Sequence, residues 1–67
     1  MLVKEKINNM NEDNNFIVTE IGKILMLGHK EKFTFSGKYT EEKILNMEVK
    51  QVQLLNGVVN DIVAIRV

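Results

Sequence analysis

Few residues in this chain are equipped for covalent chemistry. Ser36 is the only serine, His29 is the only histidine, and cysteine is absent. Nucleophilic catalysis needs a hydroxyl or thiol beside a base, and a third group to orient that base. Ser36 and His29 fall near opposite ends of one predicted hairpin, and no orienting partner is in view. A histidine exposed in a turn is the simpler account of His29. Glu41 and Glu42 stand at a predicted helix start, where carboxylates complement the positive end of the backbone dipole without any catalytic duty. Gly22, Gly28, Gly37 and Gly57 are too far apart for a phosphate-binding loop. One histidine and no cysteine leave no thiolate or multi-histidine metal site. The expectation is a non-enzymatic protein with no cofactor and no metal.

Binding is better represented than catalysis. Nine basic and nine acidic side chains balance to zero, which argues against a protein held to nucleic acid by global charge. The charge is uneven along the chain, however. Residues 23–38 hold Lys23, Lys30, Lys32 and Lys38 against Glu31, flanked by net acidic segments on both sides. Phe33, Phe35 and Tyr39 lie among or beside these lysines. Ammonium groups that meet phosphate, interleaved with rings that stack on bases, are what a single-stranded nucleic acid or nucleotide site uses. Lys23, His29, Lys30, Lys32, Lys38 and Tyr39 are therefore the candidate contacts to an anionic ligand or a partner. The plainer account makes the phenylalanines core and the lysines an ordinary wet face.

The elements that would position these residues read mainly as β. Val3, Ile7 and Met10 fit one short helical face, while Leu2 to Ile7 also fits an edge strand with Lys4 and Lys6 outward. Residues 11–15 are a loop on composition. Residues 16–27 are apolar on both parities, which suggests one strand with two apolar faces and a bulge or bend at Gly22. Gly28-His29-Lys30-Glu31 reads as a turn, so 23–27 and 32–36 should pair as a hairpin. Thr40 is a fitting cap for a helical turn over 41–45.

Beyond residue 45 two readings compete. A helix over 41–55 would make Gly57 its terminal cap. Strands at 47–55 and 58–67, joined by a type I′ turn at Asn56-Gly57, fit the alternation and the turn chemistry better. That turn sets Leu55 against Val58 and Leu54 against Val59. A bulge at Asn60-Asp61 then brings Glu48 opposite Arg66, Val49 opposite Ile65 and Met47 opposite Val67. The fold expected is a single small domain over residues 1–67, mainly β. It would be an antiparallel sheet or barrel of four to five strands, with one helical turn near 41–45.

A 67-residue chain has a thin core, because it buries only about 60% of its unfolded surface. Two-faced apolar segments at 16–27 and 58–67 exceed what such a core can cover, and self-association removes the surplus from water. Phe16, Val18, Leu25, Met26, Leu27 and Ile65 are the residues expected at that contact. Residues 1–6 lack the apolar run and cleavage site of a secretory leader, and Ile24–Leu27 is far too short to cross a bilayer. No membrane role and a cytoplasmic location are expected.

Eight asparagines and eight lysines stand against a single Arg66, a bias common in AT-rich genomes, including those of low-GC bacteria and their phages. The leading expectation is thus a self-associating protein-interaction module that occupies a partner protein's surface, as a phage accessory inhibitor of a host defence component would. The competing one is a small β-module that binds nucleic acid or a nucleotide through residues 23–38.

Overall fold

The computed structural model describes residues 1–57 and 61–67. Helix α1 (Val3–Asn8) is followed by strands β1 (Asn15–Glu20), β2 (Lys23–His29) and β3 (Lys32–Phe35). Helix α2 (Glu41–Leu45) then leads into β4 (Gln51–Leu55) and β5 (Ile62–Arg66). The strands form one sheet in the order β3-β2-β1-β5-β4. The mainly β expectation holds, but the sheet is mixed and not closed. β5 lies beside β1 in parallel, and the three other strand pairs are antiparallel. A parallel neighbour requires a long return path. Here the connection from β1 to β5 runs through the β2–β3 hairpin, α2 and β4.

Both sequence readings of the first ten residues contain part of the answer. Val3, Ile7 and Met10 form the buried stripe of α1 and its exit. Leu2, just before the helix, makes an isolated antiparallel bridge with Glu48. The Leu2 N–H also donates to the Glu5 carboxylate at 2.7 Å, which satisfies a donor at the helix start. Helix α2 ends at Leu45 as the helical-turn reading expects, with Thr40 Oγ1 accepting from the Lys43 N–H at 3.2 Å. A helix over 41–55 is overturned: Asn46 leaves helical geometry and residues 51–55 pair with β5.

Three local expectations are corrected. Residues 16–27 are two strands, not one, because the chain reverses at Ile21-Gly22. Glu20 pairs with Lys23 across a two-residue turn whose central φ angles are +48° and +76°. That combination defines a type I′ turn. The bulge lies nearby, where Val18 pairs with Met26 but Thr19 pairs with Ile24. Leu25 is the extra residue, so Leu25 and Met26 both reach the core.

The second correction concerns the C-terminal hairpin, which is wider than a two-residue turn. Leu55 faces Ile62, and Val52 faces Ile65. Among the described residues Ile21 is the one non-glycine with positive φ, so Asn56 does not adopt the turn conformation expected of it. The expected partners Val58 and Val59, and the Asn60 side of the bulge, lie outside the described residues. Third, the expected cross-strand pair of Glu48 and Arg66 does not form. Arg66 faces Gln51, and Glu48 binds the Met1 ammonium at 3.1 Å.

The register sorts side chains into two faces, since residues paired across strands point the same way. One face carries the rows Phe33–Gly28–Phe16–Val63–Leu54 and Phe35–Met26–Val18–Ile65–Val52. Helices α1 and α2 close over its centre with Val3, Ile7, Met10 and Ile44. Gly28 sits between two phenylalanines in its row. Lacking a side chain, it lets the Phe16 and Phe33 rings meet across it, with centroids 5.7 Å apart. A Cβ at Gly28 would lie 2.5 Å from the Phe33 Cα, and its φ of +150° also disfavours an L side chain.

Candidate functional site

The six candidate ligand contacts separate into three groups. Lys23, Lys38 and Tyr39 converge on one cleft, together with Glu20, Ile21, Ile24, Leu25 and Gly37. His29 and Lys32 pair with each other at the far end of the β2–β3 hairpin. Six residues of strand, about 20 Å, separate them from Lys23. Lys30 has a structural task instead. Its ammonium donates to the carbonyls of Asn8 at 3.0 Å and Met10 at 3.4 Å. It thus caps the carbonyl end of α1, where the backbone dipole favours a cation. The basic hairpin is therefore not one continuous anion-binding surface.

The cleft is built by two chain reversals. The Ile21-Gly22 turn forms one wall, and residues 36–39, leaving β3, form the other. The second wall is strapped to β2, because the Ser36 N–H donates to the Leu25 carbonyl at 3.0 Å. The Ser36 hydroxyl is engaged with the Ile24 carbonyl at 3.4 Å, which places it on the backbone and away from His29. Tyr39 ties the two walls together through its hydroxyl, which donates to Glu20 Oε1 at 3.0 Å. The Lys38 ammonium lies 5.4 Å from the centre of the Tyr39 ring, within cation–π range. The cleft has a volume of about 430 Å³.

A second surface lies on the uncovered face of the sheet. Its central row runs Thr34–Leu27–Ile17–Ala64–Gln53 from edge to edge. Ile62 and Leu55 stand on one side of this row, and Thr19 and Ile24 on the other. Lys32 stands on the edge strand β3, whereas Arg66 lies between Thr19 and Gln51 in the same flanking row as Ile24. Leu27 and Ile24 are each 48% exposed and Leu55 is 40% exposed.

Of the residues expected at a self-association contact, only Leu27 is on this face. Phe16, Val18, Leu25, Met26 and Ile65 are buried in the core and offer no surface to a partner. Their parity explains it: Phe16, Val18 and Ile65 belong to the helix-covered rows, and the bulge turns Leu25 inward beside Met26. Ile17, Ile24, Leu55 and Ile62, the other half of the same alternation, are the residues the sequence reading missed.

No protein-family model, curated protein or solved structure matches this chain. Geometry alone thus carries the functional argument. Among the described residues no helix is long and apolar enough to cross a membrane.

Proposed function

We propose that this chain is a non-enzymatic protein-interaction module that self-associates in the cytoplasm by stacking the uncovered faces of two sheets. The observation that carries this reading is the uncharged apolar row Leu27–Ile17–Ala64, with Ile62, Leu55 and Ile24 beside it in flanking rows that also hold Lys32, His29 and Arg66. Helices α1 and α2 pack over the centre of one face, with Phe35, Val52 and Leu54 exposed towards its edges, and among the described residues no element packs on the other face.

A second copy is the occupant that fits best. The chain has zero net charge, so two copies do not repel, and an apolar face is complementary to itself about a two-fold axis. Sheets stack about 10 Å apart through such faces. Five strands about 4.8 Å apart and about 17 Å long span roughly 400 Å² in plan. That is small for a specific interface, so association should be weak, in the micromolar range. The same face, freed from its twin, would occupy a partner protein's surface. In the phage setting suggested by composition, that partner is a host defence protein.

Sedimentation over about 1 to 500 µM tests the reading, since that span brackets micromolar association. A concentration-dependent shift from 7.7 kDa to twice that mass is expected. Leu27→Glu should hold the chain as a monomer with an unchanged circular dichroism spectrum, because Leu27 is outside the core. A single 7.7 kDa species across the whole range would overturn the proposal.

A further inference from the structure

The cleft between the Ile21-Gly22 turn and residues 36–39 has a lining of which the dimer reading uses only Ile24. Lys23 and Lys38 both line it. Among the described residues the one ion pair is that between the Met1 ammonium and Glu48, so neither lysine is matched to a carboxylate. The one acid in the lining, Glu20, already accepts the Tyr39 hydroxyl. Glu20 keeps its charge on accepting that hydrogen bond, so the lining sets two ammonium groups against one carboxylate and stays net positive. The rest of the lining is apolar, with Ile21, Ile24 and Leu25 beside the Tyr39 ring. A volume of about 430 Å³ lies within the usual range for small-molecule sites.

The rim adds an independent observation. Ile21 is 91% exposed and adopts φ +48°, a conformation that a β-branched side chain resists. Asn or Gly is the natural occupant of this turn position. Neither packing nor local conformation accounts for isoleucine there. Strained positions of this kind concentrate at binding sites. Held over the mouth of the cleft, Ile21 supplies an apolar contact that Asn would not.

We infer that this cleft binds a phosphate monoester with an apolar or aromatic body. The phosphate lies between the Lys23 and Lys38 ammonium groups, and the body rests against Ile21, Ile24 and the Tyr39 ring. Two ammonium groups offer charge-assisted donors to separate phosphate oxygens.

The test is titration of the full chain with phenyl phosphate, inorganic phosphate and phenol, followed by amide chemical shifts at about 0.15 M salt, where non-specific surface attraction is screened. Saturable shifts confined to residues 20–25 and 37–39 are expected with phenyl phosphate. Affinity for inorganic phosphate should be about tenfold weaker, the value of a modest apolar contact. Phenol should not saturate. Lys23→Gln and Lys38→Gln should each weaken phenyl phosphate about tenfold, as expected for a lost charge-assisted hydrogen bond. Both side chains are exposed, so the dispersion of the spectrum should persist. Ile21→Asn should narrow the preference for phenyl phosphate over inorganic phosphate while leaving the lysines in place. The inference fails if no shift saturates, if phenyl phosphate and inorganic phosphate bind equally, or if shifts scatter over all lysines. Unchanged affinity in both lysine variants would overturn it as well. Ile24 borders both surfaces, so the titration is repeated on the monomeric Leu27→Glu chain, and failure there leaves the stacking of the open faces to be judged by sedimentation.

Discussion

Replacing Ile21 by Asn should make the fold more stable, although it exchanges an apolar residue for a polar one. Ile21 is the first central residue of the turn joining β1 and β2, with φ +48°, and Gly22 follows at +76°. An L residue in left-handed geometry costs roughly 1–2 kcal/mol, because Cβ crowds the following carbonyl oxygen. Branching at Cβ worsens the crowding, whereas Asn tolerates this region and Asn-Gly is the preferred type I′ pair. Nothing offsets the gain. The Ile21 side chain is 91% exposed, so almost no burial is lost. The net expectation is about 1 kcal/mol of added stability, which raises Tm by about 4–8 °C in a domain of this size.

Thermal unfolding followed by far-ultraviolet circular dichroism reads this directly. Urea unfolding should show a higher midpoint at an unchanged slope. The variants must be compared at one protein concentration, because self-association would itself raise Tm. Ile21→Val is the control: it keeps the branched Cβ and should stay within about 0.5 kcal/mol of the parent. A Tm for Ile21→Asn equal to or below that of the parent, with the fold intact, would refute the claim that this turn is strained.

Two further substitutions test how the core is assembled. Gly28→Ala should unfold the chain or cost several kcal/mol, since the new Cβ would meet the Phe33 backbone at 2.5 Å where no side chain can yield; a native-like amide spectrum with an unchanged melting temperature would contradict this. Lys30→Ala should destabilise the fold by about 1 kcal/mol through loss of the cap on α1, and should leave phenyl phosphate affinity unchanged. A drop in that affinity would return Lys30 to the binding surface from which the structure removes it.

Much of the architecture can be read from the chain without coordinates. Thr40 before Glu41 and Glu42 announces α2, since its hydroxyl is placed to accept from the Lys43 N–H by local geometry alone. The alternation Phe33–Thr34–Phe35 after a turn announces β3, and the spacing of Val3, Ile7 and Met10 contains the face of α1. These are short-range facts, determined by residues within one or two turns of each other. Reversal at Ile21-Gly22 was concealed because the sequence offers isoleucine where the conformation calls for Asn. Asn56-Gly57, with ideal turn chemistry, lies instead in a wider connection.

Tertiary structure alone decided which apolar residues are core and which are surface. Residues 16–27 are apolar on both parities, so no local rule separates Phe16 and Val18 from Ile17, or Leu25 and Met26 from Ile24 and Leu27. The separation comes from α1 and α2 lying over one face, and from a bulge that turns Leu25 inward. The same holds for the lysines. Read along 23–38, they look like one basic patch, yet long-range contacts send Lys30 to the end of α1 and bring Lys23 and Lys38 to one cleft with Tyr39. Composition and spacing determine which elements form and what chemistry the chain holds. Which side chains meet depends on the parallel pairing of β1 with β5 and on the turn at Ile21, both products of contacts between residues far apart in sequence or of a backbone conformation that the residue type disfavours.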